Sequence, residues 1–328
     1  MGSPQNLSLS ERVRAAASRR APELQARTQD AWRVVNGPAD GAPPGLAIDR
    51  YGRWLVLSAR ESVGAPMAEA WASAAHEALG TEGVVLKTLR RSPGKSTSQV
   101  HAGTVPRHPI SIREDEAVLL CELDDGVATG LYLDQHDTRR LLRRYARDVE
   151  VLNLFAYTGA FSVHAALAGA RRVTSVDVAR KALRRGRENM VASGLDPDAH
   201  RWFPDDVIEH VARAARRGAR YGLVILDPPG FGRAGRSAFA LEEELPGLIR
   251  GAAETLVQGG VLAVANHVSA IDERRFEAAV SGALSGLGRA FELLHSEGLP
   301  AWDHPVAADP GGSGDRGDYL RTLVLRIS

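Results

Sequence analysis

From about residue 145 onward, short segments that are rich in apolar residues and lack strict polar–apolar alternation alternate with longer segments rich in Ala, Arg and Glu. The apolar segments lie at 149–155, 172–176, 222–226 and 260–265. Strands that are apolar at every position are typical of a parallel sheet whose two faces are both covered by helices. The alternation therefore predicts an α/β fold with a doubly wound, mostly parallel sheet, in which ligands bind beyond the carboxyl ends of the strands.

The preceding part of the chain has a different pattern. Ser8 and Glu11 have the spacing of a capping box, and an Ala- and Arg-rich helix is expected to follow to about residue 28. Turn-rich segments then separate short β-type runs, with one alanine-rich helical segment at 67–79. The predicted strands lie at 32–35, 46–49, 54–58, 83–89 and 117–123. We therefore predict a helical N-terminal segment, a small α+β domain suited to substrate recognition, and the doubly wound domain, at 1–30, 31–128 and 129–328.

Composition narrows the class of protein. No apolar run approaches the ~18 residues that span a bilayer, and the first residues lack the apolar segment of a signal peptide. Cys121 is the only cysteine, so an internal disulfide is excluded and a cytoplasmic location is expected. The net charge of +1 does not mark a dedicated nucleic-acid-binding protein, although a local arginine patch can still bind RNA. The sequence therefore predicts no membrane segment.

The first buried strand runs directly into a loop, residues 153–162, that is followed by helical sequence. This order of elements makes a nucleotide site, because loop amides and the helix N-terminus face the ligand. The dinucleotide fingerprint G-x-G-x-x-G is absent, and only Gly159 remains of the three glycines that let a backbone approach a pyrophosphate. A cofactor without phosphate is therefore favoured, and S-adenosylmethionine fits that description.

Acidic residues follow the next three strands of the predicted sheet. Asp177 lies 18 positions after Gly159, close to the spacing at which a carboxylate grips ribose hydroxyls. Asp205 and Asp206 follow the third unit, where one of the two is suited to accept a hydrogen bond from the adenine amino group. Asp227-Pro228 ends the fourth strand. Each residue alone has a structural interpretation, as a helix N-cap or a turn. Their occurrence at successive strand ends favours one adenosyl site.

These residues resemble a known family. The segment Asn153–Gly159, Asp177, Asp206 and Asp227-Pro228-Pro229-Gly230-Phe231 resemble motifs I to IV of the class I methyltransferases, and more narrowly the bacterial 23S rRNA methyltransferases that modify cytosine C5 or guanine N7. Upstream, residues 130–135 are similar to a family segment that closes over the cofactor, and residues 49–51 and 85–88 resemble the small domain of that family. Downstream, residues 303–306 match a C-terminal motif of the cytosine branch. The resemblance implies a Rossmann-like class I methyltransferase domain. The predicted cofactor contacts, with no metal ligands, are Asp134, Gln135, Asn153, Phe155, Tyr157, Thr158, Gly159, Ala160, Phe161, Asp177, Val178, Asp206, Val207 and Asp227.

The sequence departs from that family in three places. The cytosine branch carries an RNA-binding domain at its N-terminus, whereas about 30 residues precede the small domain here. That branch also has a cysteine after the strand at 260–265, where this sequence has Asn266-His267, and the guanine branch has asparagines there. Gly230 matches neither branch.

The cysteine matters because cytosine C5 becomes nucleophilic only when a thiolate adds to C6. Cys121 lies in an apolar strand and is expected to be buried and inert. Direct in-line transfer to nitrogen or oxygen remains, which needs alignment more than acid–base help. The predicted catalytic residues are Asp227, which accepts a hydrogen bond from the target, Pro228 and Pro229, whose carbonyls face it, and Phe231, which either stacks on a planar substrate or packs in the core. His267 is either a base or, as the sequence favours, a structural residue.

Two arginine clusters, at 139–147 and 184–187, either bind RNA phosphates or form solvated helix faces, and the second interpretation is favoured. The leading functional hypothesis is an rRNA base methyltransferase acting on nitrogen. A small-molecule methyltransferase acting on a planar substrate and a non-catalytic adenosyl-binding module are the alternatives. The sequence is also compatible with a homodimer.

Overall fold

A computed structural model describes residues 7–90, 96–124, 126–229, 233–234, 237–238, 241–268, 271–307 and 318–328. The chain forms two compact units. Unit 1 contains residues 1–134 and 300–318, and unit 2 contains residues 135–299 and 319–328. Within the described ranges, no helix is long and apolar enough to cross a bilayer.

Unit 1 is built on a five-stranded sheet with the order β1-β2-β3-β4-β5 and a separate β6–β7 hairpin. Its helices and strands are α1 (Leu9–Ala26), β1 (Ala31–Asn36), β2 (Leu46–Tyr51), β3 (Trp54–Arg60), α2 (Ala65–Leu79), β4 (Gly83–Leu89), β5 (Thr97–Gly103), β6 (Ile110–Glu114) and β7 (Ala117–Cys121). Strands β3 and β4 are parallel because helix α2 carries the chain back between them, whereas the other neighbouring pairs are antiparallel. The capping box predicted for α1 is present, with Ser8 accepting from the Glu11 amide and Glu11 accepting from the Ser8 amide.

A buried charged cluster joins the N-terminal helix to the C-terminal segment of unit 1. Arg20, which is 1% exposed, donates to both carboxylate oxygens of Asp40 at 2.8 and 2.6 Å and to the Asp303 carbonyl at 3.0 Å. Burial opposes the charge of Asp40, but its hydrogen bond and charge interaction with Arg20 hold its pKa below the usual value. Asp303 also accepts from the Arg33 amide and pairs with His304. These contacts explain why the described residues 300–307 group with unit 1, whereas the sequence predicted a single domain over 129–328.

Unit 2 is a seven-stranded sheet with the order β10-β9-β8-β11-β14-β16-β15. Its helices and strands are α3 (His136–Leu142), β8 (Glu150–Leu154), α4 (Ala160–Leu167), β9 (Arg172–Val176), α5 (Arg180–Ala192), β10 (Arg201–Phe203), α6 (Val207–Arg216), β11 (Tyr221–Leu226), β12 (Arg233–Ala234), β13 (Ser237–Ala238), α7 (Leu241–Glu254), β14 (Leu256–Asn266), α8 (Glu273–Ser285), β15 (Phe291–Glu297) and β16 (Arg321–Ile327). The first five strands of that order run parallel, and β16 lies antiparallel between β14 and β15. The predicted α/β, mostly parallel sheet is confirmed.

The order in which the chain adds strands to the sheet of unit 2 reverses at β8. The chain proceeds from β8 outward through β9 to β10, and β11 then starts the other half on the opposite side of β8. Such a reversal opens a crevice at the carboxyl ends of the two central strands, β8 and β11. Helices α7 and α8 bury Ile249 and Phe276 against one face of the sheet, in a core with Leu152, Val224 and Leu262. This packing fixes the strand ends that carry the site.

Candidate active site at the carboxyl ends of the sheet

The loop between β8 and α4 has an unusual backbone. Phe155 and Tyr157 both adopt left-handed conformations, with φ of 58° and 48°, and Gly159 follows with φ of 72°. A left-handed residue other than glycine costs about 1–3 kcal/mol, and such residues cluster at functional sites, where the surroundings hold them in place. The loop is therefore strained at two aromatic residues that were both predicted to contact the cofactor.

Asp177 at the end of β9 holds this loop. Its Oδ2 accepts from the Tyr157 amide and its Oδ1 from the Ala179 amide, both at 2.8 Å. The carboxylate is half-buried and retains lone pairs beyond these two bonds. Asp177 therefore fixes the loop and can still accept hydrogen bonds from a ligand in the crevice.

Glycines allow the loop to approach helix α5. A Cβ at Gly159 would lie 3.2 Å from two carbons of the Trp202 ring and 3.3 Å from the Gly186 Cα. A Cβ at Gly186 would lie 2.6 Å from the same ring. Asn189, one turn beyond Gly186, donates to the Thr158 carbonyl at 2.9 Å. Gly186, Trp202 and Asn189 were not predicted from the sequence, although a glycine inside a helical pattern is a recognised sign of close packing.

The Asn153 side chain is buried beneath the loop and is not exposed on the side that faces the crevice. The residue is 1% exposed, and its amide donates at 2.8 Å to Ser162, which in turn hydrogen-bonds to Ser175. These three side chains come from β8, α4 and β9, so they join the first two strands to the helix that covers them. The Asn153 side chain supports the loop in this structure, and a direct cofactor contact stays a prediction.

The acidic pair after β10 has separate environments. Asp206 is the N-cap of α6 and accepts from the Glu209 amide at 3.0 Å. Asp205 pairs with Arg213 and His210. Val207 is the first residue of α6 and is buried, whereas Val178, after Asp177, is 40% exposed. The helix-cap interpretation of Asp206 is therefore correct, and contact with an adenine amino group stays a prediction.

Asp227 ends β11 in the crevice beside β8. Its Oδ1 accepts from Gln135 Nε2 at 3.1 Å and lies 2.6 Å from His267 Nε2. Gln135 precedes α3, and His267 follows β14, the strand adjacent to β11. The structure thus brings together one predicted catalytic residue, one predicted cofactor residue and the histidine whose role the sequence left open. The tip of the Asp-Pro-Pro motif, Phe231 with Gly230, lies outside the described residues.

Other predicted site residues of unit 2 lie at the same edge of its sheet or in the elements that support it. Thr158, Ala160 and Phe161 lie in the loop and at the start of α4, and Arg139 stacks over the Phe161 ring at 5.9 Å from its centroid. Pro228 is buried and Pro229 half-buried after β11. Asp134, the last residue of unit 1, is buried.

The arginine clusters divide by environment. Arg139 is 2% exposed, so it belongs to the interior of unit 2 rather than to a phosphate-binding face. In the second cluster, Arg185 pairs with Glu188 at 2.9 Å and Arg187 with Asp198 at 2.6 Å. The pair of Arg187 with Asp198 is exposed and fits the solvated helix face that was favoured, whereas the Arg185 side chain is only 15% exposed.

Comparison with known proteins gives the same class as the fold and the site. A sequence profile of the S-adenosylmethionine-dependent methyltransferase family matches residues 59–283. The chain is 30% identical over 315 residues to YwbD of Bacillus subtilis, provisionally named a ribosomal RNA large subunit methyltransferase, with coverage of 95% of this chain and 78% of that protein. It is 31% identical over 310 residues to ribosomal RNA large subunit methyltransferase I of Klebsiella pneumoniae, with coverage of 91% and 74%.

A solved structure is similar over nearly the whole chain. The crystal structure of SMU.776, provisionally described as a methyltransferase and complexed with SAH, has a TM-score of 0.87 and 25% identity to this chain, covering 98% of this chain and 82% of that one. The fold and the crevice therefore define a class I methyltransferase. The chain belongs to the S-adenosylmethionine-dependent methyltransferase family, and it is an enzyme that uses S-adenosylmethionine.

Proposed function

We propose that the enzyme methylates a base of large-subunit ribosomal RNA by direct transfer, without a cysteine nucleophile. Two relatives that match most of this chain are named as ribosomal RNA large subunit methyltransferases, which supports the RNA substrate. A ribosomal substrate also supports the cytoplasmic location expected from the sequence. The homodimer stays a prediction.

The cysteine content supports direct transfer. Cys121 is the only cysteine of the chain, and it is fully buried at the end of β7 in unit 1. A thiol must reach C6 of a cytosine to activate C5, and a side chain with no exposed surface cannot do so. The acceptor is therefore an atom with its own lone pair, which favours nitrogen or oxygen.

The loop of residues 155–159 and Asp177 are proposed to hold S-adenosylmethionine, which supplies an electrophilic methyl group. Asp177 is proposed to grip the ribose hydroxyls, and the exposed Val178 to pack on the adenine. Support comes from the strained loop that Asp177 fixes through the Tyr157 amide. A carboxylate with two backbone bonds keeps acceptor sites for the ribose.

The position and hydrogen bonding of Asp227 are the single observation that supports the catalytic part of the proposal. It lies at the switch point of the sheet, and two neighbours hold its Oδ1. Its Oδ2 is then the oxygen that accepts a hydrogen bond from the target base. Such a contact aligns the acceptor, which is the main requirement of an in-line transfer.

Mass spectrometry of rRNA nucleosides tests this function. Ribosomal RNA from a strain that lacks the gene should lack one methylated nucleoside, and the purified enzyme with isotope-labelled S-adenosylmethionine should restore it. Wild-type RNA, already methylated, is the matched control and should take up no label. Identical nucleoside profiles in the two strains, with no label transferred to the RNA of the deletion strain, would disprove the ribosomal substrate.

A further inference from the structure

The amino ends of the sheet in unit 2 carry a row of exposed arginines. Four neighbouring parallel strands, β10, β9, β8 and β11, each begin at an arginine or shortly after one. These residues are Arg201, the first residue of β10, Arg171 before β9, Arg147 before β8 and Arg220 before β11, and all four are exposed. Neighbouring strands lie about 4.8 Å apart. The four residues, which we call the arginine row, therefore follow one edge of the sheet.

The two central members of the arginine row lie side by side. Arg171 donates to the Asp148 carbonyl at 2.6 Å, and Asp148 directly follows Arg147. A Cβ at Gly169, just before the start of β9, would lie 4.0 Å from the Arg147 Cγ. The starts of β8 and β9 thus present two guanidinium groups next to each other.

Arg201 and Arg220 lie on the strands to either side of that pair. Arg201 is in register with Thr174 of β9, so it is close to the same edge. Burial raises the pKa of Tyr221, which follows Arg220, and the positive charge of Arg201 is among the influences that oppose this rise. The arginine row is therefore continuous in charge across all four strands.

Within the described ranges, none of the four arginines forms an ion pair with a carboxylate. The acids beside these strand starts have other contacts. Glu150 lies 3.8 Å from Arg172, and Asp198 pairs with Arg187 at 2.6 Å. Asp148 meets the row only through its carbonyl. A row of like charges repels itself, and an anion bound along it offsets that repulsion.

The arginine row lies at the opposite edge of the sheet from Asp227. Arg220 and Asp227 are separated by the length of β11, which at a rise of about 3.3 Å per residue places them about 23 Å apart. The row is therefore too far from the acceptor atom to take part in the transfer. A substrate that reaches it must extend well beyond the methylated nucleotide.

We propose that the arginine row binds the phosphate backbone of the RNA that flanks the methylated nucleotide. This inference rests on the proposed ribosomal RNA substrate. Arginine stays charged at all physiological pH values, and its planar guanidinium forms paired hydrogen bonds with phosphate oxygens. Phosphate contacts position a nucleic acid without reading its sequence. The exposed Arg216 and Arg217, at the end of α6 and shortly before Arg220, extend the same positive edge.

The salt dependence of RNA binding tests these contacts. The variant Arg147→Gln/Arg201→Gln removes two members whose side chains make no hydrogen bond to a described residue, so the fold should be kept. Binding of a short fluorescent RNA hairpin of arbitrary sequence is measured by anisotropy. The slope of log Kd against log salt should decrease by about 1.4–1.8, because each phosphate contact contributes about 0.7–0.9. At about 0.1 M salt the affinity should fall by about 25- to 60-fold.

Two matched variants separate the row from general charge. Arg53→Gln/Arg184→Gln removes the same charge, but from exposed arginines that pair with Glu82 and Glu188, and it should leave the slope unchanged. Arg147→Lys/Arg201→Lys keeps both positive charges and should keep most of the slope. An equal loss of affinity in either of these variants would refute the arginine row as the binding surface.

Methyl transfer to unmodified 23S rRNA, transcribed in vitro, distinguishes RNA binding from catalysis. Arg147→Gln/Arg201→Gln should raise KM for the RNA several-fold or more and leave kcat unchanged at saturating RNA. The dissociation constant for S-adenosylmethionine, from calorimetry, should also stay the same. A lower kcat with an unchanged KM would place these residues in the catalytic machinery and refute the proposal.

The remaining outcomes are also decisive. If circular dichroism shows that Arg147→Gln/Arg201→Gln is poorly folded, Arg220→Gln replaces it, with a slope smaller by about 0.7–0.9. Unchanged slopes in the folded variants, or no RNA binding by the unaltered enzyme, would overturn the proposal. Transfer to ribosomal RNA that does not depend on the row would refute this inference and leave the proposed function intact. Binding that depends on the row without any transfer to ribosomal RNA would refute only the proposed substrate.

Discussion

Replacing Gly159 by Ala tests whether the cofactor loop is as tightly packed as the structure indicates. Any residue with a Cβ pays about 1–2 kcal/mol for the left-handed backbone at this position. The added methyl group would also lie 3.2 Å from the Trp202 ring and 3.3 Å from the Gly186 Cα, inside normal contact distance. Overpacking of this kind costs about 1–3 kcal/mol more. The loop would have to shift, and with it the Tyr157 amide that Asp177 binds.

Gly194 provides a matched control for the backbone cost. Its φ of 75° is nearly the same as the 72° of Gly159, but no described atom lies within 4 Å of a Cβ built there. Gly194→Ala should therefore lower the free energy of unfolding only by the cost of the left-handed backbone. Gly159→Ala should lower it by that cost and by about 1–3 kcal/mol more for overpacking. Urea unfolding of both variants measures the difference from the midpoint and slope.

The same two variants should differ in cofactor binding. Gly159→Ala should weaken S-adenosylmethionine binding because the loop moves, and Gly194→Ala should leave the dissociation constant unchanged. Combining Gly159→Ala with Trp202→Leu should recover part of the stability loss, since the ring carbons in the contact are removed. Equal losses of stability in the two alanine variants, with equal affinities, would refute the close packing of the loop.

The remaining predictions concern single side chains. Asp227→Ala should leave S-adenosylmethionine affinity unchanged in calorimetry and lower turnover by about 10²-fold, as for a misplaced reacting atom; the reverse pattern would make Asp227 a cofactor ligand. Asp177→Ala should weaken cofactor binding by about 1.5–3 kcal/mol, whereas Asp198→Ala, which removes an exposed carboxylate, should not. Cys121→Ser should keep most of the methyl transfer, and a trapped protein–RNA adduct that disappears in this variant would contradict direct transfer. Burial lowers the pKa of His200, so the unfolded state binds a proton more readily, and the free energy of unfolding should fall as the pH drops through about 6.5. His200→Gln should weaken this pH dependence when unfolding in urea is measured at several pH values. The same pH dependence in the variant would exclude His200 as its cause.

Local signals explain which parts of the fold the sequence could predict. The strands at 83–89 and 172–176 were assigned with the observed bounds, because each is a short segment rich in Val and Thr between turns. The capping box of Ser8 and Glu11 is likewise a pattern of near neighbours. In contrast, β10 has three residues and β15 exposes much of its length, so neither gives a periodic signal. The antiparallel insertion of β16 depends on pairing with distant strands.

In the candidate site, too, local features could be predicted from the sequence and contacts between distant residues could not. Asp227 was placed at a strand end from its own neighbourhood, which is local information. His267 lies 40 positions away from it and Gln135 lies 92 positions away, so their hydrogen bonds depend on strand order and register. A lone histidine has too many structural uses for a sequence to single it out. Knowledge that β11 and β14 are parallel neighbours would have suggested the pair, because the ends of such strands meet.

The division of unit 1 between two distant stretches of sequence has a consequence for synthesis. A ribosome delivers the chain from its N-terminus, so Arg20 and Asp40 emerge long before Asp303, whose carbonyl accepts from Arg20 across 283 positions. During that interval the first-made part of the molecule lacks its final partner, while the whole central body of unit 2 is being translated. Long-range closure of this kind is slow and leaves surfaces open to misassembly. We expect the nascent protein to rely on chaperones for longer than a domain made from one continuous stretch would, because the part made first completes its structure only after Asp303 has emerged.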